Sequence, residues 1–252
     1  MDNNSSYTSI LKIEFNKKNF PVGLCLACTD FEELKRVRKE LLHPLECLVY
    51  EEMSYRNRQY GYLIGRYCAK RALNAITQKK PSELFIDNGV FHQPLVSLKN
   101  IQVSISHTES LGGAISFIES FPMAIDVESL EERKEKTIYP LLSDQEHLLV
   151  SSCDSTSPMI MFWTIKEALS KAIKCGLSVP LDLLEIESIQ ENNGFYISSY
   201  KNFSQYQAIS FFLTNAVCTI AFPKNTSLHI DVPSIQNAER NLIRGKAEND
   251  IT

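Results

Sequence analysis

The chain of 252 residues has a single tryptophan, no excess of positive charge and few features that would send it out of the cell or into a membrane. No apolar run approaches the ~20 residues that a bilayer-spanning helix needs, so no membrane partner is expected. Asp and Glu number 30 against 26 Lys and Arg, a net charge of -4, so no overall basic field recruits nucleic acid. The opening MDNNSSYTSILKIEF lacks the basic-then-apolar order of a signal peptide. Seven cysteines, an odd number spread over a long chain, do not make a disulfide framework. The expected location is cytoplasmic, with reduced thiols. Cys25 and Cys28 are the one suggestively spaced pair, yet no second pair or nearby histidines completes a zinc site. They lie in PVGLCLAC, which reads as a buried strand.

What remains is an ordinary globular composition, 44% hydrophobic and 22% charged, long enough for one large domain or two smaller ones. A strand is expected at 22–27, then a helix at 30–42 and a second at 53–77 with Leu63, Ile64, Tyr67, Leu73 and Ile76 buried. Short strands follow near 84–86, 102–106, 113–118 and 123–128. A helix at 142–150 opens with the capping box Ser143-x-x-Glu146, and residues 151–158 read as a loop. Further strands are expected at 184–189, 195–199, 207–214 and 217–222. The last thirty residues are polar and read as peripheral, with a short helix near 235–243.

The segment FWTIKEALSKAIKCGLSVP, residues 162–180, holds the tryptophan and reads as a helix. Ile165, Ala168, Leu169, Ala172 and Ile173 fall on one side, with Lys166, Glu167, Ser170, Lys171 and Lys174 on the other. Gly176 and Pro180 supply a stop. Two roles are open to Glu167. Thr164-x-x-Glu167 has the form of a capping box at the helix start, and Glu167 with Lys171 makes an i,i+4 ion pair. The same carboxylate could instead do chemistry. An internal echo bears on the architecture: shifted by one hundred positions, IGRYCAKRALNAI (64–76) overlies TIKEALSKAIKCG (164–176), with Arg66 over Lys166 and Arg71 over Lys171. Two similar helix-plus-sheet halves would explain it, with a boundary near 116–122.

MAIDVESL, residues 123–130, is the most informative short stretch. On a strand Asp126 and Glu128 share a face while Ile125 and Val127 point into the core. Paired carboxylates repel unless a cation lies between them, and Mg²⁺ suits carboxylate oxygens with water and a substrate phosphate. A simply solvated strand end is the alternative. With Glu167, Lys166 and Lys171 the set becomes three acids and two bases, able to hold a metal and a polyphosphate together. His107, beside Ser106 and Thr108 at a strand end, could meet a phosphate oxygen. Arg58 and Arg66, about 80° apart on their helix, could face one anion, or form an ordinary solvated face.

The ordered set Gly65-Arg66, SISHTES (104–110), AIDVE (124–128) and WTIKEALSKAIKCGLSVP (163–180) resembles the 4′-phosphopantetheinyl transferases. The likeness is to their larger, monomeric surfactin-synthetase and enterobactin-synthase type, over roughly residues 41–222, and the W-x-x-K-E-x-x-x-K element is its most specific part. The resemblance implies an α+β fold, a pseudo-twofold pair of similar subdomains, each a helix packed on a small antiparallel sheet. An N-terminal half (1–120), a C-terminal half carrying the acids (121–223) and a polar C-terminal extension (224–252) would divide the chain.

The resemblance also implies a reaction. A serine of an apo carrier protein attacks the β-phosphate of coenzyme A, taking the 4′-phosphopantetheine arm and releasing 3′,5′-ADP. It makes Asp126, Glu128 and Glu167 ligands of Mg²⁺ and Glu167 also the general base. Lys171 becomes a catalytic and phosphate-binding residue, with Arg58, Arg66, Ser106, His107, Thr108 and Lys166 toward coenzyme A. Glu146 matches a recurring acid, although its capping role is an equal alternative. Many relatives have Gly-Lys-Pro where this chain reads Phe91-His92-Gln93-Pro94, so a lysine charge is missing there. A noncatalytic module that binds coenzyme A or a carrier, and a Mg²⁺-dependent nucleotide hydrolase, are the competing expectations.

Overall fold

The structure of the chain, a computed structural model, describes residues 5–249. β1 (Ser6–Phe15) and β2 (Lys18–Ala27) form a hairpin. Its turn residues Asn16 and Lys17 both have positive φ, as a tight two-residue turn between twisted strands requires. α1 (Phe31–Leu41) is capped by the Asp30 carboxylate, which accepts from the Glu33 amide. The helix expected over 53–77 forms as α3 (Arg56–Thr77), and a further helix not expected from the sequence precedes it. This helix, α2 (Pro44–Glu51), has its own capping box of His43 and Glu46, and α3 starts afresh after it. The chain continues through the hairpin β3 (Ile86–Asn88) and β4 (Pro94–Val96), then β5 (Ile101–His107), β6 (Gly112–Ile118) and β7 (Ala124–Ser129). Next come α4 (Glu132–Ile138), α5 (Asp144–Ser152) and α6 (Pro158–Ala172). The strands β8 (Ile186–Asn192), β9 (Phe195–Tyr200), β10 (Tyr206–Phe212), β11 (Ala216–Pro223) and β12 (Ser227–His229) precede α7 (Val232–Asn249).

Two antiparallel sheets result, ordered β12-β1-β2-β6-β5 and β7-β11-β10-β9-β8. Side-chain size decides what each face meets. Bulky residues on the two inner faces, among them Leu24, Leu26, Ile115 and Phe117 against Ile125, Phe211 and Ile220, make a core between the sheets. The intervening positions are small. Cys25, Ala27 and Ala114 face α3, while Ala124, Ala208 and Ala221 face α6, so each helix lies close on its sheet. The architecture is helix, sheet, sheet, helix, and the expected α+β pair of helix-on-sheet subdomains is what the chain forms. No helix among the described residues is long and apolar enough to cross a membrane. All seven cysteines are free, and Cys25 and Cys28 are buried, as the strand reading of PVGLCLAC expects.

The tail is not peripheral. β12 pairs with β1 at the far edge of the first sheet, and Val232, Ile235 and Leu242 of α7 join the inter-sheet core. Glu239, 2% exposed, accepts from the Thr214 backbone amide and hydroxyl. Its polar composition hid a narrow apolar stripe, one position in three or four, which is all a helix lying along an edge needs.

The hundred-residue echo is carried by side chains that sequence periodicity does not reveal. Glu46 accepts from the amides of His43 (2.8 Å) and Ile86 (3.1 Å), and Glu146 accepts from those of Ser143 (2.9 Å) and Ile186 (3.0 Å). Each glutamate thus caps a helix and tethers the strand that follows the long helix. Arg71 donates to Ser6 (2.8 Å) as Lys171 donates to Ser106 (3.1 Å). Every partner is displaced by one hundred. The halves differ where Tyr67 stands in place of Glu167; its hydroxyl lies 3.2 Å from that of Ser6.

Candidate active site

α6 is buried almost all round because it is wedged between the second sheet and α4 and α5. From Ile160 to Ala172 every residue is buried except Trp163, Glu167 and Lys171. These three are spaced by four and form one stripe along the helix. The helix starts at Pro158, after Ser157, so Thr164 lies in its second turn rather than at its N-cap. The Thr164 hydroxyl donates back to the Met161 carbonyl and meets Thr219 on β11. The capping-box reading of Thr164 and Glu167 is therefore corrected. Relieved of that role, Glu167 projects from the only open face its helix has.

That stripe meets β7 and β5. Asp126 on β7, 2% exposed, accepts from Lys171 Nζ (2.6 Å) and from the Ser106 hydroxyl on β5 (2.8 Å) through Oδ1. Its Oδ2 is buried and has no hydrogen-bond partner. Glu167 Oε2 stands 4.0 Å from Lys171 Nζ. Loss of water, and then the nearby Asp126 carboxylate, push the Glu167 carboxyl up to about 7 despite the opposing pull of Lys171; Glu128 pushes the same way. Glu128, on the same face of β7, is paired with Lys134 of α4. Among the described residues no three carboxylates or imidazoles stand close enough together to hold a metal ion as they are placed. The donor set nevertheless fits a hard cation: it has an orphaned buried carboxylate oxygen on Asp126, and a second carboxylate lifted by burial and then by its acidic neighbours.

Comparison with known proteins bears on this acidic seam. Residues 122–221, the stretch holding all three acids and Lys171, match the 4′-phosphopantetheinyl transferase superfamily. The match places the likeness to that superfamily on the half of the chain that carries the acids. A curated relative, 4′-phosphopantetheinyl transferase gsp of Aneurinibacillus migulanus, is 24% identical over 181 residues, 70% of this chain and 75% of that one. Two solved structures are similar over smaller parts. A holo-(acyl-carrier-protein) synthase from Bacillus anthracis in complex with CoA (3′,5′-ADP) has 14% identity and a TM-score of 0.33, covering 44% of this chain and 97% of that one. A holo-ACP-synthase from Plasmodium yoelii has 18% identity and a TM-score of 0.32, covering 44% and 96%.

The fold encloses several of the side chains expected at the site. Lys166, 1% exposed, is enclosed with Glu146 (2.8 Å) and the Leu181 carbonyl (2.9 Å), so it cannot turn to an anion. Arg66 is the N-terminal counterpart. It lies 3.2 Å from Glu46, over the Tyr62 ring, and donates to the Ile86 carbonyl. Both bases hold their helices to their glutamates, which is the packing role open to Arg66 from the start and places neither base on an open face. Ser106 is buried, and its hydroxyl is spent between Asp126 and Lys171. The Thr108 hydroxyl accepts from the amides of Ser110 and Leu111 and shapes the β5–β6 turn. Arg58 is exposed on the first turn of α3, whereas its neighbour Arg56 lines the seam cavity.

Two cavities flank the acids. One of about 660 Å³ is lined by His107, Thr108, Glu128, Lys134, Arg56 and Lys246 among others. The other, about 230 Å³, lies between residues 91–94 of the β3–β4 hairpin, β5 and the end of α6, and receives Lys171 and Lys174. Lys174 was not singled out for the site from the sequence. Its left-handed backbone, φ 59°, past the end of α6, is a turn effect that helical periodicity cannot register. The hairpin that lacks the usual lysine therefore has one facing it from another element.

His107 keeps an exposed edge, but its ring lies against Gly61 of α3. Loss of water on that side and the Lys171 ammonium hold its imidazole below the ordinary histidine value, so it is neutral at pH 7. A methyl at Gly61 would stand 2.8 Å from His107 Cε1, too close for carbon atoms, so the ring must move. Gly61→Ala is thus expected to raise the His107 pKa toward the unperturbed value in an NMR titration. The helix itself should lose nothing, since alanine is the better helix former by about 1 kcal/mol. An unchanged titration would mean that the ring is not held against α3.

Proposed function

We propose that the protein transfers the 4′-phosphopantetheine arm of coenzyme A to a serine hydroxyl of an apo carrier protein, with Mg²⁺, releasing 3′,5′-ADP. The observation that carries this reading is the seam itself. An unpaired buried oxygen of Asp126, a lysine bridging Asp126 and Glu167, and a glutamate poised near neutrality meet where the two halves touch. The likeness of residues 122–221 to the 4′-phosphopantetheinyl transferase superfamily supports the reaction class.

Glu167 is the general base. A carboxyl pushed up to about 7 both exists as carboxylate at neutral pH and accepts a hydroxyl proton with useful driving force. Lys171 supplies positive charge to a phosphate oxygen while its pairing with Asp126 fixes its position. Lys174, beside residues 91–94, provides the anion contact on the nucleotide side that the hairpin lacks. His107 is a neutral hydrogen-bonding group toward the same ligand. Asp126, Glu128 and Glu167 would hold Mg²⁺, which when bound draws charge from the pyrophosphate and stabilises the departing phosphate. The Lys166–Glu146 and Arg66–Glu46 pairs keep the two long helices, and with them this stripe, in place.

The test is incubation with several apo carrier proteins, coenzyme A and Mg²⁺, read by mass spectrometry of the intact carrier. One phosphopantetheine mass per carrier is expected. No added mass on any carrier, with coenzyme A binding intact, would point to a noncatalytic binding module. Release of 3′,5′-ADP without a carrier would point to a hydrolase.

A further inference from the structure

The acids of the seam are not all equally available to a cation. Asp126 has one oxygen committed to Lys171 and one free, and Glu167 is unpaired apart from its 4.0 Å neighbour Lys171. Glu128 alone is closed by a side chain from outside the seam. Lys134, on the short helix α4, reaches across to its carboxylate, and both partners stay partly open to water, with side-chain exposures of 32% and 23%. Both also line the 660 Å³ cavity, together with Arg56 and Lys246. The lysine thus has room to leave, and the cavity is where it would go. Asp126 keeps a buried, unpartnered oxygen, and Glu128, on the same face of β7, holds a displaceable ammonium, so the pair can exchange that ammonium for a cation.

We propose that Lys134 is a built-in competitor for the divalent cation: it occupies Glu128 when no cation is bound and must be expelled for Glu128 to join Asp126 and Glu167. This rests on the reading that the acidic set takes up Mg²⁺. It explains why three carboxylates on adjoining elements do not converge here. Asp126 and Glu128 each already have an ammonium neighbour, Lys171 from inside the stripe and Lys134 from α4. The two lysines differ in what they can do next. Lys171 is tied to Ser106 as well as Asp126, whereas Lys134 has Glu128 as its ion-pair partner at the rim of the cavity. Lys134 is therefore a residue that sets cation affinity. Its release also adds a positive charge to the cavity as the cation binds, so the two events are linked.

The experiment measures Mn²⁺ binding by electron paramagnetic resonance of the free ion, on the full-length protein without coenzyme A or carrier. Lys134→Met is expected to tighten binding about tenfold by removing the competitor, while Arg133→Met, which removes an exposed charge paired with Glu131 next door, should change it by less than twofold. In a Glu128→Gln background Lys134→Met should have no effect, because the lysine acts through that carboxylate. Equal affinity of wild type and Lys134→Met would overturn the proposal. So would tightening by Arg133→Met as large as that by Lys134→Met, which would indicate a general field effect. Circular dichroism confirms that each variant is folded. The transferase reading fails separately, if wild type adds no mass to any carrier, because the Mn²⁺ measurement needs neither substrate.

Discussion

Glu167→Gln is expected to lower the transfer rate by about a thousandfold and, at the same time, to make the protein more stable at pH 8. The first effect follows from removing a general base, for which losses of about 10²–10⁴ are usual. The amide keeps the shape of the side chain but cannot take the serine proton, so kcat should fall far more than KM for coenzyme A rises. The second effect follows from the same carboxylate being lifted by burial and by Asp126. A carboxyl moved from 4.5 to about 7 on folding favours its protonated form in the native state. Its contribution is fully stabilising below pH 4.5, where both states are protonated, and is lost as pH rises through 7. The full shift is worth about 3 kcal/mol.

Urea unfolding of wild type and Glu167→Gln at pH 4 and pH 8 separates the two effects. The stabilities should agree at pH 4, and the variant should be ahead by about 1–3 kcal/mol at pH 8. A variant that loses activity and also loses stability at pH 8 would return Glu167 to a structural role. Near-normal transfer would remove it from the chemistry altogether. A site that stores repulsion in this way has exchanged stability for a poised acid, and relief of that repulsion is what a bound cation or a phosphate-bearing substrate would bring.

The acids and the helix stripe were legible because each sits in an element with a clear period. Asp126 and Glu128 alternate with Ile125 and Val127 on β7, and Glu167 and Lys171 are one turn apart on α6. What misled was the assumption that a charged residue on an apolar helix lies on its outer face. Lys166 and Ser170 are both 1% exposed, because α6 is packed on several sides and its polar positions are satisfied inside. A helical wheel has no means of distinguishing a solvated lysine from one paired with a glutamate twenty residues away. The start of α6 was misplaced for a related reason. A Thr-x-x-Glu spacing fits a cap, yet Pro158, six residues before Thr164, marks the true first turn. β1 is hard to read because its residue types break the period that its burial keeps, with Ser9 facing inward and Ile10 outward, and the tail because its apolar stripe is thin. The offset of one hundred between Glu46 and Glu146 was present in the sequence all along. A single glutamate in each half carries no period, and only its hydrogen-bond partners in the fold mark it as a repeat.

Glu46→Gln is the substitution expected to cost the fold most. The Glu46 carboxylate, 0% exposed, serves the His43 and Ile86 amides and stands against two cations, Arg66 and the wholly buried Lys70. Burial already pulls the Lys70 pKa down, and Glu46 opposes that pull. Taking away the anion leaves two bases without a charge partner in the interior, for which about 3–5 kcal/mol is the usual loss. Glu146→Gln removes the anion from Lys166 alone, so its loss should be smaller. Lys70→Met in the Glu46→Gln background should restore part of the stability, since the pair then contains no stranded ammonium. Urea midpoints of the two single variants and the double variant decide the matter. Strict additivity would mean that the pair does not act as a unit. A double variant more stable than Glu46→Gln would establish that what Glu46 contributes is compensation of buried positive charge, with the helix cap a lesser part.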